Sequence, residues 1–256
     1  MRTDRLPRLM PCLLLRGSGL VKTRRFREPT YVGDPINAVR IFNEKEVDEL
    51  IVLDIEASRA GRGPNLALIE QIASECFMPV TYGGGLRDPE QVASVLRAGV
   101  EKVSVNTIAR EDPGALRRIA DRFGSQSLVV SIDVERSRMR RAPRVYGTSR
   151  WGGAERNPVE LAKAAQAAGA GEILLTSVDR EGTYSGYDLE LVRQVAPQVD
   201  IPLIACGGAR NLDDVAAVLE AGADGAAAGS LFVFQGPLRA VLINFPTPAE
   251  RRQRLA

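Results

Sequence analysis

Two stretches of the chain, PVTYGGGLRDPEQVASVLRAGVEKVSVNT from Pro79 to Thr107 and PLIACGGARNLDDVAAVLEAGADGAAAGS from Pro202 to Ser230, align without a gap and share ten identities. Their offset of 123 residues is about half of the 256-residue chain, so the two halves read as copies of one ancestor. Each copy runs from a short apolar stretch through a glycine pair into a helical pattern, and after a further glycine returns to an apolar stretch. That is one and a half strand-helix units.

Working outward from the repeat, the same rhythm covers the chain. Apolar runs read as strands at Leu9 to Leu15, Leu50 to Ile55, Val80 to Tyr82, Lys102 to Val105, Leu128 to Asp133, Ile173 to Thr176, Leu203 to Cys206 and Gly225 to Ala228. Asp34-Pro35, Asp88-Pro89, Asp112-Pro113 and Asn157-Pro158 each supply a helix N-cap followed by proline at the first helical position. Gly99, Gly124, Gly169 and Gly222 stand where those helices should stop. Eight units in this length predict an α/β fold, a single (β/α)8 TIM barrel, with half-barrels at about 1–124 and 125–245 and a C-terminal tail over 246–256. Strands buried on both faces explain why the runs are continuously apolar; an open doubly wound sheet is the alternative.

Composition narrows the chemistry. The chain contains no histidine, which removes Ser-His-Asp and Cys-His nucleophile arrangements and every His-ligated metal site. The residues offer no other metal cluster and no cofactor motif. Lys plus Arg exceeds Asp plus Glu by only 34 to 32, giving no reason to expect nucleic-acid binding. Cys12, Cys76 and Cys206 are odd in number and far apart, and are expected to be reduced and buried in a cytoplasmic protein. The N-terminal MRTDRLPRLMPCLLLRGSG lacks a long apolar core and a small-residue cleavage site, so it reads as a buried strand and not as a secretion signal. No segment is long enough to span a membrane.

The repeat also predicts paired sites. Gly84 and Gly85 correspond to Gly207 and Gly208, and Asn106-Thr107 to Gly229-Ser230. Glycine allows close backbone approach, and amides at the start of a helix favour an anion, so two phosphate groups are expected at opposite sides of the barrel mouth. Asp133 ends strand five at the C-terminal face, where a carboxylate would replace the missing imidazole as proton shuttle. Aligning LMPCLLL with LVVSIDV places Leu14 opposite it. Further candidates on the rim are Lys22 in RGSGLVKT, Asp54 after strand two, and Asp179, Glu181, Gly182 and Thr183 in TSVDREGTYSG. The arginines between Arg136 and Arg156 read as a basic loop, solvated or covering an anionic substrate. At the other end, Arg8, Glu49, Lys102 and Glu172 stand at or just before four strand starts with alternating sign. They serve solubility or stability, or, pointing inward, form a salt-bridged ring.

Taken together, these residues resemble the cyclase subunit of imidazole glycerol phosphate synthase, the barrel that works with a glutaminase in histidine biosynthesis. The most specific stretches are DELIVLDI, GGGLRD, EKVSVNT, FGSQ, GAGEILLTSVDREGT and AGADGAAAGS, within a likeness that runs from Arg8 to about Phe234. The resemblance implies that Gly85, Asn106, Thr107, Gly208, Gly229 and Ser230 hold the two ends of a bis-phosphorylated small molecule. It also implies that Arg8, Glu49, Lys102 and Glu172 form the ring through which ammonia from the partner enters. A heterodimer with a HisH-like glutaminase follows, with no cofactor.

The likeness breaks at the chemistry. That family uses one aspartate on strand one and one on strand five; the second matches Asp133, whereas the first falls on Leu14. Glu181 stands where aspartate is usual, and NFPTPAERRQRLA replaces the usual last helix. These departures are similar to a second, HisF-like branch encoded with surface-polysaccharide genes, which implies delivery of ammonia to a sugar amidotransferase that builds an acetamidino group on a nucleotide sugar. A cyclase with Asp133 alone or with Glu181, and a catalytically silent activator of the glutaminase, are the alternatives.

Overall fold

The computed structural model describes residues 6–136, 142–147 and 157–255. Eight parallel strands form the frame: β1 Arg8–Arg16, β2 Leu50–Asp54, β3 Val80–Gly83, β4 Lys102–Val105, β5 Leu128–Arg136, β6 Glu172–Ser177, β7 Leu203–Cys206 and β8 Gly225–Ala228. Each pairs with the next in order, and β8 pairs back onto β1 with Arg8 opposite Gly225, closing a (β/α)8 TIM barrel. Closure explains the apolar runs, because both faces of every strand are covered. Alternate residues of one run join different cores. In β1, Met10, Cys12 and Leu14 join Ile51, Val129, Leu174, Ile204 and Ala227 inside the barrel, while Leu9, Leu13 and Leu15 pack outward beneath the helices.

The helices are α1 Pro35–Glu44, α2 Leu66–Glu75, α3 Pro89–Arg97, α4 Pro113–Phe123, α5 Pro158–Ala167, α6 Leu189–Val195, α7 Leu212–Glu220 and α8 Pro248–Leu255. The expected caps form: Asp34, Asp88, Asp112 and Asn157 each accept a hydrogen bond from a backbone amide in the first turn. The repeat recurs in the bonding. The first amide of β3, Val80, donates to Glu101 at 2.6 Å, and that of β7, Leu203, donates to Asp224 at 2.8 Å. Arg87 and Arg210 likewise donate backbone amides to Gln91 and Asp214 in the helix that follows. Each of these four pairs is displaced by the same 123 residues.

Several elements depart from the sequence reading. β1 continues into a hairpin, Gly19–Arg24 against Arg27–Gly33, which is not among the strands read from the sequence. Its turn places Arg25 and Phe26 at φ 53 and 59 without a glycine, so the usual hairpin signal is missing. β5 runs past Asp133 to Arg136 and pairs with Pro143–Val145. Of the cysteines, only Cys12 is fully buried, with Cys76 and Cys206 half-buried. The segment read as a tail holds α8, begun by a capping box in which Thr247 Oγ1 accepts from the Glu250 amide and Glu250 Oε2 accepts from the Thr247 amide. Among the described residues no helix is long and apolar enough to cross a membrane.

Helix α8 is tied to the bottom of the barrel by Arg251, which is 4% exposed. Its guanidinium pairs with both carboxylate oxygens of Asp48, donates to the Pro7 carbonyl at 3.2 Å and lies over the Phe245 ring. Asp48 in turn accepts the Leu9 amide at 3.0 Å, so α8 fixes the start of β1 against the start of β2. Removing one partner of such a pair leaves an uncompensated charge. Arg251→Leu is expected to cost about 3 kcal/mol in urea unfolding. Arg254→Leu, whose pair with Asp213 is exposed, should cost under about 1 kcal/mol.

Candidate functional site

Four charges project into the barrel axis at its N-terminal end. Lys102 Nζ lies 2.9 Å from Glu49 Oε2 and 3.3 Å from Glu172 Oε2, and the Arg8 guanidinium reaches the same two carboxylates at 3.4 and 3.0 Å. Thr81 adds a hydroxyl to Glu49 Oε1 at 2.7 Å. Glu49 and Glu172 are buried, so each carboxylate needs both cations to offset its lost hydration. The ring expected from spacing is therefore closed by contacts. Above it the interior is lined by Met10, Ile51, Val129, Leu174 and Ile204, interrupted by the buried Ser104 hydroxyl, which has no hydrogen-bond partner among the described residues.

At the C-terminal end a cavity of about 770 Å³ opens. Gly84, Gly85, Asn106, Thr107, Gly207, Gly208, Gly229 and Ser230 all line it, as the repeat predicts. The glycines are required by close approach: at Gly84 (φ +121) an added Cβ would overlap the Asp54 carbonyl, and at Gly208 (φ +107) that of Gly186. Thr107–Glu111 and Ser230–Val233 are short helices beginning at the rim, so their first amides border the cavity.

Asp133 faces this cavity from β5, level with Thr176 on β6. Asn106 Nδ2 donates to Asp133 Oδ2 at 2.8 Å, and the Ser131 and Thr176 hydroxyls bond to the same carboxylate. Burial pushes the Asp133 carboxyl up to about 6, against the opposing pull of Arg110 and these donors. On the β1–β2 side stands Leu14, paired with Leu53 and Val21. The mouth is thus polar along β4 to β6 and apolar along β1, with Asp54 at the rim where β2 ends. No carboxylate faces Asp133 from β1.

The other rim candidates divide. Lys22 is buried and lines the cavity, with Nζ 3.3 Å from the Cys12 carbonyl and the space over Gly229 filled by its ammonium. Glu181 lines it too, but its Oε2 accepts the Phe26 amide at 3.2 Å, pinning the β1 hairpin; burial raises its carboxyl pKa, with Lys22 opposing. Gly182 borders the cavity beside them. Asp54 spends Oδ1 on the amides of Glu56 and Ala57, both at 2.9 Å, and so holds its own loop. Two candidates lie elsewhere. Asp179 is exposed, lies outside the cavity lining and accepts the Arg136 amide, while Thr183 bonds to the Arg180 carbonyl and Ser185 and also lies outside it. Arg136 is no loop residue: it ends β5 and grips Asp188 with Nε and Nη2. The rest of the basic segment falls largely on 137–141 and 148–156, outside the described residues.

Sequence reasoning missed Ser104, Ser131, Thr176, Arg110, Tyr146 and Tyr184, which all line the cavity. For the three hydroxyls the signal was present. Each shares strand parity with an inward position already recognised: Ser104 stands two residues from Lys102, Ser131 two from Asp133 and Thr176 four from Glu172. The aromatic and arginine contributions come from loops and carry no such period.

The raised Asp133 pKa has a sign that can be checked. An unfolded aspartate loses its proton near pH 3.9, whereas the folded one holds it to about 6, so between these values the folded state binds more protons and stability falls as pH rises. Asp133→Asn should therefore gain stability relative to wild type as pH increases from 4 to 6, and no further above 7. Urea unfolding across that range measures it.

Comparison with known proteins agrees with this geometry. The family model described as histidine biosynthesis protein matches residues 8–238. A Pseudomonas aeruginosa protein provisionally named imidazole glycerol phosphate synthase subunit hisF2 is 53% identical over 93% of this chain and 95% of its own length. A Vibrio vulnificus protein provisionally named subunit hisF3 is 46% identical over 97% and 96%. The imidazole glycerol phosphate synthase subunit HisF of Exiguobacterium sibiricum is 40% identical over 89% and 90%. With its barrel, its bottom ring and its glycine-lined mouth, the chain belongs to the histidine biosynthesis protein family, in its HisF-like group.

Proposed function

We propose that this chain is the ammonia-receiving barrel of a cytoplasmic glutamine amidotransferase pair, docking a HisH-like glutaminase on its bottom face and supplying ammonia for acetamidino modification of a nucleotide sugar in surface-polysaccharide synthesis. One observation carries the reading: the charged ring at the bottom is closed by contacts, while Leu14 stands where the resemblance places the cyclase's first aspartate. Chemistry supports the division of labour. Ammonium would lose its hydration against Met10, Ile51 and Val129, whereas neutral ammonia crosses an apolar layer at far lower cost and finds hydroxyls at Ser104 and Ser131. The ring governs entry, because a passing molecule must part Lys102 from Glu49 or Glu172. At the mouth, the paired glycine loops and the Lys22 ammonium suit a phosphorylated small molecule.

The names of the relatives favour a second reading, an imidazole glycerol phosphate cyclase in which Asp133 acts alone or with Glu181. Losing a general acid or base costs about 10²- to 10⁴-fold in rate, which a biosynthetic flux does not tolerate easily. Growth of a cyclase-deficient histidine auxotroph on this gene would decide for the second reading; failure to grow is the result the first predicts.

The channel itself is tested separately. In the complex with the glutaminase, Lys102→Ala and Glu172→Ala should leave glutamine hydrolysis running while transfer of its amide nitrogen to product falls. Retained coupling in both variants would remove the ring from the ammonia path. A wild-type complex that hydrolyses glutamine but transfers no nitrogen would instead mark the barrel as a silent activator.

A further inference from the structure

The proposed ammonia path ends at an open mouth, and one side of that rim carries apolar side chains that no described residue covers. Strand β8 is followed by the short helix Ser230–Val233 and then by a hairpin in which Phe234–Gln235 pairs with Ala240–Val241. Leu238 in its turn is 94% exposed, and Val241 and Leu242 are 50% and 59% exposed. Single exposed apolar side chains such as Ile41 and Leu66 are ordinary, but three within five residues of one hairpin are the signature of a contact surface. The hairpin is held against the mouth. Leu242 and Asn244 donate backbone amides to the Val233 and Phe232 carbonyls, both at 2.9 Å, which ties its base to the helix at the rim. The Arg239 guanidinium lies 4.9 Å from the centre of the Tyr184 ring, and the Tyr184 hydroxyl donates to the Ser230 carbonyl at 3.2 Å. Tyr184 and Ser230 both line the cavity, so whatever rests on Leu238 rests at the edge of the mouth.

The charge around the hairpin selects its occupant. Arg180 packs beside Gly208, two residues before Arg210, and Arg24 of the β1 hairpin lies beside Gly182, so the loops next to Tyr184 add three arginines to Arg239. Arg24 and Arg239 are exposed and pair with no carboxylate among the described residues, and the Arg210 side chain stays 61% exposed despite its pair with Asp214. Two copies of the chain meeting here across a twofold axis would set these arginines against their own images, a like-charge contact that costs affinity. A different protein, with carboxylates around an apolar pocket, meets both the charge and the apolar tip.

We propose that the hairpin around Leu238 is the docking site for the protein that consumes the ammonia, and that this protein meets it with an apolar pocket rimmed by carboxylates. The inference rests on the reading above, in which the barrel supplies ammonia to a nucleotide-sugar amidotransferase and does not itself close a ring. Under that reading ammonia that reaches an uncovered mouth meets water, takes up a proton and ceases to be a nucleophile. A receiver seated on the rim excludes the water and keeps the molecule neutral until it reacts. The mouth thus needs a cover at the end opposite the glutaminase, and Leu238, Val241 and Leu242 supply its apolar contact. An anionic lipid surface would also suit an apolar tip among arginines, but it offers no acceptor for the nitrogen.

The test uses the assembled system of this chain, its glutaminase and the nucleotide-sugar amidotransferase, fed either glutamine or ammonium salt. Leu238→Asp and Leu242→Asp are each expected to lower glutamine-dependent amidination by about 10-fold or more, the loss typical of a central interface contact. Glutamine hydrolysis and ammonium-dependent amidination should stay at the wild-type rate. Leu238 is almost wholly exposed, so a charge there spares the fold. Unchanged glutamine-dependent amidination in both variants would overturn the docking site and leave the functional reading in place. No glutamine-dependent amidination with wild type would overturn that reading, and the site with it. Two further measurements decide the occupant. Sedimentation of the chain alone should give a monomer, and flotation with vesicles of equal parts phosphatidylglycerol and phosphatidylcholine should carry none of it. A dimer that Leu238→Asp dissociates, or vesicle binding that it abolishes, would assign the surface to a second copy or to a membrane and overturn the proposal.

Discussion

Every second residue of eight parallel strands must share one narrow axis, and this steric constraint organises the molecule. A side chain aimed inward has no helix to cover it and no route to solvent except through the two ends, so each level of the barrel must be satisfied by the side chains that meet there. At the lowest level four charges meet, and they persist because each carboxylate touches both cations. Above them Met10, Ile51, Val129, Leu174 and Ile204 fill the axis, and higher still the glycines and hydroxyls of the mouth open it. Along β6 the inward side chains are Glu172, Leu174 and Thr176, so polarity along the axis changes from charged to apolar to polar on a single strand. That order suits a neutral polar molecule that is admitted by charge and carried past an apolar layer.

The asymmetry across the mouth follows from the same geometry. Asp133 on β5 and Leu14 on β1 align between the two half-barrels, so the same depth carries a carboxylate on one strand and an aliphatic side chain on the other. Leu14 between Leu53 and Val21 packs better than a carboxylate would there, and Asp133 stands half-buried, held by Asn106, Ser131 and Thr176 and pushed toward neutrality. A carboxyl near 6 retains the ability to give and take a proton. No carboxylate faces it from β1.

The barrel was legible because its signals are periodic or local. Cap residues at Asp34, Asp88, Asp112 and Asn157 and the 123-residue repeat needed no tertiary knowledge, and the ring showed itself as charges interrupting apolar runs at one depth. Loops were less readable. Asp179 and Thr183 had plausible chemistry beside Glu181, yet the Asp179 carboxylate accepts the Arg136 amide at the end of β5 and the Thr183 hydroxyl bonds within its own loop, which spacing cannot reveal. The β1 hairpin turns at Arg25 and Phe26 in left-handed conformations that the residue types do not announce; the Glu181 carbonyl and carboxylate fix that turn from another strand's loop. The capping box at Thr247 and Glu250 was present in the sequence, but a helix so rich in charge lacked the apolar stripe that would have marked it. Its docking depends on Arg251 and Asp48, 203 residues apart.

The central claim is that this barrel keeps the ammonia entrance and the anion-binding mouth of its family while lacking the acid pair that closes the imidazole ring. It is tested most directly by supplying the purified chain with the histidine-pathway ribonucleotide and ammonium salt, beside the Leu14→Asp variant. The account predicts that wild type binds the bis-phosphate without turning it over and that Leu14→Asp, by restoring the second carboxyl, gains cyclase activity. Turnover by wild type at a rate equal to or above that of Leu14→Asp would contradict it.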